Sequence, residues 1–321
     1  MRRRLRRWIA IRRDTPRWQA VLLGLLCVAL CFALWWYVTR GEGEQRILTS
    51  DKVPSPQETF ASFRSLWFDR ALTRNILVTM ERVVLGFGLA IIVGVPLGVL
   101  AGCFSRIAAF LSPLIIFGRN IPLAALIPLT IFIFGIGELR TVMFIFIACV
   151  AFIISDAADA IADVDTRYID TAYTLGAKRR HVILKVLVPL AMPSVFNSLR
   201  LLFGLAFGYI MLAELFVLGG AVGGLGYLIS VSQRRGPREH IYLIILIIPV
   251  IALAIDRFLF WMQRELFPYR YGGLGMLNSV VRAVLHLWDD FKSLLWRSEA
   301  SHQRLELDRR DSSTSRDAST D

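Results

Sequence analysis

The chain has 321 residues, of which 55% are hydrophobic and only 19% charged, and its mean hydropathy is +0.56. Soluble domains usually carry charge on about a quarter of their residues. Residues 83–104 contain no charged side chain, and an uncharged run of this length is typical of a membrane span. The composition therefore excludes a soluble globular protein and predicts an integral membrane protein.

The net charge of +12 does not indicate nucleic-acid binding, because the positive charge is concentrated beside an apolar run. Eight arginines lie within residues 1–17, as is typical of a cytoplasmic end. The four cysteines lie in or beside apolar runs, with neither a disulfide framework nor metal-ligand spacing. We therefore expect no metal site, and we expect the cysteines to be small buried hydrophobic residues.

The N-terminal part of the chain predicts three segments. Residues 1–17 form a basic cytoplasmic N-terminus, and residues 18–38 form the first transmembrane helix. This apolar run is longer than the hydrophobic region of a signal peptide and lacks a small-residue cleavage site, so we expect it to be retained. Residues 39–74 carry six basic and five acidic residues, and this balance predicts a periplasmic segment.

Residues 75–265 predict the helical core. The second span shows Gly94, Gly98 and Gly102 at intervals of four, which predicts one helix face that packs closely on a neighbour. Three prolines interrupt residues 107–137, and they predict a single crossing with irregular backbone near residues 118–128. Six crossings place both termini in the cytoplasm; the predicted spans are 18–38, 76–104, 107–137, 141–161, 201–219 and 240–262.

The C-terminal part divides in two. Within residues 266–298, apolar side chains recur at helical spacing from 276 to 296, which predicts an amphipathic cytoplasmic extension. Such a helix lies on the membrane surface or packs on a partner, and we favour the surface. Residues 299–321 contain few apolar side chains and predict a disordered tail.

One charged segment lies between two long apolar runs. Residues 170–193 read DTAYTLGAKRRHVILKVLVPLAMP. This segment resembles the EAA loop of binding-protein-dependent ABC importer permeases, in which Glu-Ala-Ala is followed by Gly and then by Leu-Pro at fixed offsets. Asp170 stands at the Glu position and is one methylene shorter, and Thr171 replaces the first Ala. The other matching positions are Ala172, Gly176, Val186, Val188 and Pro189.

The resemblance extends over about residues 72–262. The stretches TMERVVLGFGLAIIVGVPLG, IPLAALIPLTIFIFGIGE and AELFVLGGAVGGLGYLI look like patterns of the nitrate, sulfonate and taurine branch of these permeases. The resemblance implies an all-α polytopic protein with the ABC importer permease (MetI-like) fold in the bacterial inner membrane. It also implies a homodimer, two ATPase subunits, and a periplasmic or lipid-anchored substrate-binding protein.

The expected function is import of a small solute, a nitrate-, sulfonate- or taurine-like anion or a related compound, whose identity the sequence does not specify. The chain lacks the G-x-x-x-x-G-K-[ST] loop that binds nucleotide phosphates. We therefore expect no enzyme activity and no bound cofactor in this chain, with ATP and magnesium bound by the partner ATPase.

Within residues 163–195 we expect two short helices joined at Gly176, which would form a rigid knob for a cleft on the ATPase. Glycine permits a positive φ at the junction, and prolines restrict where the next span begins. A carboxylate near a helix start is available to a cation of the partner. The alternative is a solvated interfacial loop. The expected ATPase-coupling residues are Asp170, Thr171, Ala172, Gly176, Ala177, Val186, Pro189 and Pro193.

Three charged residues lie inside predicted spans or beside broken helix. Glu214 either lines the translocation path or a gate, or is a buried structural hydrogen-bonding residue. Arg82 either pairs with an acidic neighbour or extends to the outer surface, and we favour a structural role. Arg119 either binds an anion on the path or satisfies carbonyls freed by the broken helix, and we slightly favour the carbonyls.

Two other classes of protein remain open. An ion-coupled secondary transporter is suggested by the broken helix and the intramembrane carboxylate, and it would work without an ATPase. A non-transporting membrane scaffold is suggested by the long amphipathic extension. The EAA-like spacing argues against both.

Overall fold

The computed structural model describes residues 16–41, 53–216, 223–235 and 238–271. Within these ranges every regular element is a helix, and five helices are long and apolar enough to cross a membrane, or six if one bent pair is counted as a span. This agrees with the predicted all-α membrane protein. The predicted basic N-terminus up to residue 15, the amphipathic helix at 276–296 and the tail at 299–321 lie outside the described residues.

The helices are numbered in chain order. Two of them, α9 and α10, are joined without a break by a π-helical segment at Ile183–Leu187. The bounds are α1 Arg17–Val38, α2 Pro56–Ala61, α3 Phe63–Phe68, α4 Leu72–Cys103, α5 Ser105–Asn120, α6 Leu123–Phe134, α7 Glu138–Ala162, α8 Thr166–Thr174, α9 Arg179–Val182, α10 Val188–Leu215, α11 Leu225–Arg235, α12 Arg238–Leu266 and α13 Pro268–Tyr271.

The chain divides into two compact units: residues 1–158 with 202–254, and residues 159–201 with 255–321.

In the first unit, α1 matches the predicted first span. The Trp35 indole donates to the carbonyl of Pro54 at 3.1 Å, but none of the apolar window of α1 is buried. Cys27 and Cys31 are therefore exposed, and our expectation of buried cysteines is wrong for these two because they lie in the unburied apolar window of α1. Cys149, on α7, is buried.

The core of the first unit is formed where α4 packs on α7 through glycines. A side chain at Gly86 would meet the Val142 carbonyl at 2.5 Å, and one at Gly98 would meet the Ala157 methyl at 2.6 Å. The two helices therefore approach more closely than any side chain on this face of α4 would permit. The predicted packing face is confirmed for Gly94 and Gly98, which are both buried.

The predicted irregular backbone near residues 118–128, inside the third predicted span, is confirmed. Helices α5 and α6 meet at an angle of 103°, so they form either a broken span or a re-entrant pair. Ile121, between them, has an extended backbone, because a residue that precedes a proline is disfavoured in the helical region. Pro122 then caps the start of α6, where the missing N–H is not needed.

Two boundaries differ from the prediction. The fifth span was expected to begin at residue 201, but α10 begins at Val188 and contains Pro193 in its interior. The predicted Gly-rich loop that follows contains an 11-residue helix, α11. Both errors arise because glycine and proline were treated as helix breakers, whereas side chains from other helices satisfy the backbone groups concerned.

The close packing of α4 on α7 gives a stability prediction. Replacement of Gly94 by Val places a Cβ about 2.7 Å from the Ile153 Cγ2 methyl, and overpacking of this kind costs ~1–3 kcal/mol. We expect a lower thermal unfolding midpoint for the purified protein in detergent. Gly88→Val on the same helix is the control, because a Cβ there meets nothing within 4 Å. Equal midpoints for the two variants would contradict this packing.

Candidate functional site

The charged loop at residues 163–195 belongs to the second unit. Helix α8 begins after Asp165, whose carboxylate accepts from the backbone N–H of Arg167 at 3.0 Å. A side-chain oxygen at this position satisfies one of the free N–H groups at a helix start. The local sequence thus fixes where the first helix of the loop begins.

The end of α8 has the geometry of a Schellman motif. The N–H of Ala177 donates to the carbonyl of Ala172 at 2.9 Å, and the N–H of Gly176 donates to the carbonyl of Tyr173 at 2.9 Å. This pairing requires a left-handed residue after the helix, and Gly176 has φ of +79°. Gly176 thus adopts the positive φ that glycine permits at this junction, and the motif connects Ala172, Gly176 and Ala177, three of the residues predicted for the loop.

The second half of the loop differs from the prediction of two short helices. After Gly176 the chain re-enters helix at Arg179 and continues through the π-helical segment into α10. The expectation of a second short helix is therefore wrong: the π-helical segment bridges the region without a break. The loop is one short helix joined at Gly176 to the start of a long one.

The surface of the loop carries both charged and apolar side chains. Asp170, Thr171, Gly176 and Pro189 are exposed, Ala177 and Val186 are half-buried, and Ala172 and Pro193 are buried. Sequence reasoning missed the exposed apolar side chains beside them, of which Leu175, at 82% exposure, is the most open. The others are Tyr168, Tyr173 and Leu184, and the exposed basic side chains are Lys178, Arg179, Arg180, His181 and Lys185.

A second polar site lies in the first unit and is centred on Arg82. This arginine is 3% exposed, and its guanidinium contacts two carboxylates. Its Nε and Nη2 donate to the two oxygens of Glu138 at 2.5 and 2.6 Å, and its Nη1 donates to Glu214 at 2.9 Å and to the Gly223 carbonyl at 2.9 Å. The expectation that Arg82 pairs with an acidic neighbour is confirmed.

Glu214 is 1% exposed and receives hydrogen bonds from three directions. Besides Arg82, the Thr79 hydroxyl lies 3.0 Å from each of its carboxylate oxygens, and the backbone N–H of Gly226 donates at 3.0 Å. A buried carboxylate is stable only with such a set of donors. In the structure Glu214 is thus a buried hydrogen-bonding residue; its role on a translocation path stays a prediction.

The same site fixes the start of α11. The N–H of Gly224 donates to the Asn75 side chain at 2.8 Å, and the N–H of Leu225 donates to the Thr79 hydroxyl at 2.9 Å. With the bond from Gly226 to Glu214, three consecutive N–H groups at the helix start are satisfied by side chains. This explains why a Gly-rich sequence forms a helix here.

Arg140, two residues after Glu138 on α7, adds contacts to the end of α10. It is 4% exposed, and its guanidinium donates to the carbonyl of Ala213 at 3.1 Å and approaches that of Phe216 at 3.5 Å. A cation that bonds the last carbonyls of a helix also interacts favourably with the helix dipole. The site therefore joins four helix ends: the starts of α4, α7 and α11, and the end of α10. All four ends are predicted to face the periplasm.

Arg119 lies apart from this site. Its Nη1 donates to the Ser155 hydroxyl at 2.7 Å, and its guanidinium carbon lies 5.2 Å from the centre of the Phe152 ring. The favoured expectation that Arg119 bonds freed carbonyls is not what the structure shows, because its hydrogen bond goes to a side chain on α7. Its place on a translocation path stays a prediction. Within the described residues, no group of three His, Cys, Asp or Glu side chains is arranged to hold a metal ion.

Comparison with known proteins identifies the family. Residues 94–268 match the family described as "Binding-protein-dependent transport system inner membrane component". The chain belongs to this family. The match covers more than half of the chain and includes the whole charged loop.

The relatives carry permease names. A putative ABC transporter permease protein of Methanocaldococcus jannaschii is 33% identical over 65% of this chain and 77% of that protein. The taurine transport system permease protein of Escherichia coli K12 is 26% identical over 80% and 94% of the two chains. The bicarbonate transport system permease protein of Synechococcus elongatus is 28% identical over 77% and 91%. The predicted resemblance to the taurine branch is thereby confirmed.

A solved structure supports the fold. An inward-facing structure of the MetNI methionine ABC transporter aligns with a TM-score of 0.54 at 20% identity, covering 63% of this chain and 98% of that one. At this identity the likeness shows the fold alone. It is the all-α importer-permease fold that the sequence predicts.

The Arg82 site gives a second stability prediction. In Glu214→Ala, the buried guanidinium loses one of its two carboxylates, and two other donors, the Thr79 hydroxyl and the Gly226 N–H, lose their acceptor. Removing one partner of a buried ion pair costs ~3–5 kcal/mol, so we expect a strongly lowered unfolding midpoint and little protein in the membrane fraction. Glu81→Ala is the control, because Glu81 is exposed on α4, directly before Arg82. A wild-type midpoint for Glu214→Ala would contradict the role of this carboxylate.

Proposed function

We propose that this chain is the membrane subunit of an ATP-driven importer of small anions, and that the loop at residues 163–195 docks on a separate ATPase. The observation that carries the proposal is the geometry of α8, which is capped at its start by Asp165 and closed at Gly176. A helix defined at both ends moves as a rigid body, and a rigid element is required if a partner's motion is to reach the membrane.

The surface of the loop supports a protein partner. Exposed aromatic and leucine side chains, among them Tyr173 and Leu175, lie beside charged residues. Several exposed large apolar side chains within one short loop favour an interaction surface over a solvated loop. Asp170, exposed on α8, offers a carboxylate to a cation of the ATPase.

The proposed cycle follows from differential binding. Two copies of the chain enclose the translocation path, two ATPase subunits bind the two loops, and a substrate-binding protein delivers the solute from the other side. Closure of the ATPases on ATP favours the outward-facing arrangement, and release of the products favours the inward-facing one. Glu214 and Arg119 are proposed to lie near the path, where Glu214 holds the periplasmic ends of the helices together.

The proposed substrate class rests on the relatives. Their printed names include taurine and bicarbonate, both small molecules that carry an anionic oxygen group. We propose that this chain imports a solute of the same chemistry, chosen mainly by the binding protein.

Transport in vesicles tests this function. We expect uptake of an anion from the taurine or bicarbonate class only when the ATPase, ATP and the binding protein are all present. Dissipation of ion gradients should leave this uptake unchanged. Uptake that follows an ion gradient without the ATPase would instead identify a secondary transporter, and no uptake of any solute would favour a scaffold.

Docking of the loop is tested by Gly176→Arg. A side chain at φ of +79° strains the Schellman motif at a cost of ~1–2 kcal/mol, and the added charge projects from the docking surface. We expect the ATPase to be lost from the purified complex while the permease still inserts in the membrane.

Gly135→Arg is the strain control for this variant. Gly135 also has positive φ, at +71°, and its ψ of −159° places it in a region essentially restricted to glycine, so a side chain there is strained at least as much as at Gly176. A Cβ there also meets nothing within 4 Å, and the residue lies between α6 and α7, outside the loop. Equal retention of the ATPase by Gly176→Arg and by the wild type would argue against docking at this loop.

A further inference from the structure

The connection between the charged loop and α10 contains three departures from regular helix. Residues Ile183–Leu187 are π-helical, and two prolines follow within the next turns, Pro189 and then Pro193. Each proline lacks the N–H that would bond the carbonyl four residues earlier. Helices bend at such positions, so this stretch is a joint at which motion of the loop would be lost before it reached the rest of α10.

The carbonyl that Pro193 leaves without a helical partner is that of Pro189. In the structure the phenol of Tyr269 donates to this carbonyl at 2.6 Å. Tyr269 lies 80 residues further along the chain, in α13, directly after the last span. Partial burial raises the pKa of the Tyr269 phenol, so the hydroxyl keeps the proton that it donates. The donor that proline removes from the helix is therefore supplied by another element of the same unit.

Two further side chains from the same end of α12 and α13 bond the joint. The Gln263 amide, which is fully buried, donates to the carbonyl of Pro193 at 3.1 Å. The Arg270 guanidinium donates to the hydroxyl of Ser194 at 2.8 Å. Three hydrogen bonds thus connect residues 263–270 to residues 189–194.

Aromatic packing and a second arginine extend these contacts. The ring of Phe267 lies 5.8 Å from that of Phe196, at an angle of 66°. Further along α10, Arg200 donates to the Gln263 side-chain oxygen at 3.3 Å and lies 3.0 Å from the carboxylate of Asp256. Gln263 is therefore held on both sides, which fixes the amide that bonds Pro193.

We propose that Tyr269, Gln263 and Arg270 form a brace that stiffens the proline joint, so that movement of the ATPase-docking loop is transmitted to α10 and α12 together. These are positioning residues, which act on the coupling between hydrolysis and transport. This inference rests on the proposed function, because it assumes that the loop receives the motion of an ATPase.

Tyr269→Phe tests the brace in the assembled complex with its ATPase and binding protein. The ring stays and only the hydroxyl is lost, so the Pro189 carbonyl is left without its donor. We expect normal co-purification of the ATPase and nearly normal ATP hydrolysis, with ATP consumed per solute imported raised by about two- to fivefold, as expected for the loss of one exposed hydrogen bond. Tyr37→Phe, an exposed tyrosine on α1, is the control and should keep the wild-type ratio.

A second variant separates bracing from general damage. Pro193→Ala restores an N–H that can bond the Pro189 carbonyl within the helix, which makes the Tyr269 hydroxyl dispensable. In a double-mutant cycle the effects of the two substitutions should therefore not be additive. Tyr269→Phe should raise the ATP consumed per solute imported in the wild-type background and leave it unchanged in the Pro193→Ala background.

Each other outcome overturns the brace. A wild-type ratio in Tyr269→Phe shows that the joint needs no brace, and an equal rise in both backgrounds shows that the hydroxyl acts elsewhere. Loss of the ATPase from Tyr269→Phe shows a role in folding or docking instead. Failure of the proposed function is distinct, because the wild-type complex would then show no ATP-dependent uptake at all.

Discussion

The structure depends on one constraint: a polar group buried among apolar helices must find a partner inside the protein. Water is absent from the membrane interior, so leaving a carbonyl or a charge unpaired there costs on the order of several kcal/mol. Arg82 meets this constraint with Glu138 and Glu214 at one end of the first unit. In the second unit, the fully buried Gln263 amide meets it by donating to the carbonyl of Pro193.

Much of the architecture follows from local patterns in the sequence. Hydropathy alone places the spans to within a few residues at α1, α4, α7 and α12, because each contains a long, strongly apolar stretch. The left-handed residue at Gly176 and the break near Pro122 were also predictable, since glycine and proline restrict the backbone wherever they occur. Boundaries failed where partners decided the outcome, as at Pro193, which lies inside α10.

The partners of the buried polar residues could not be predicted, because they are distant in sequence. Arg82 and Glu214 are separated by 132 positions, and no local pattern encodes that contact. A signal was nevertheless present. Both residues fall near the predicted periplasmic ends of their spans, where opposite charges in an apolar setting are expected to meet. Arg119 gave no such signal, because its partner Ser155 is neutral and common in helices.

The π-helical segment at Ile183–Leu187 also changes the phase of the long helix that it interrupts. One extra residue in a single turn rotates every later side chain by about 100° relative to a regular α-helix. A helical wheel drawn from Arg179 onward would therefore assign the wrong face to residues of α10. Shortening the segment by one residue would restore a regular helix and turn the charged loop at residues 163–195 by about 100° around the axis of α10, so that its exposed side chains would point in another direction.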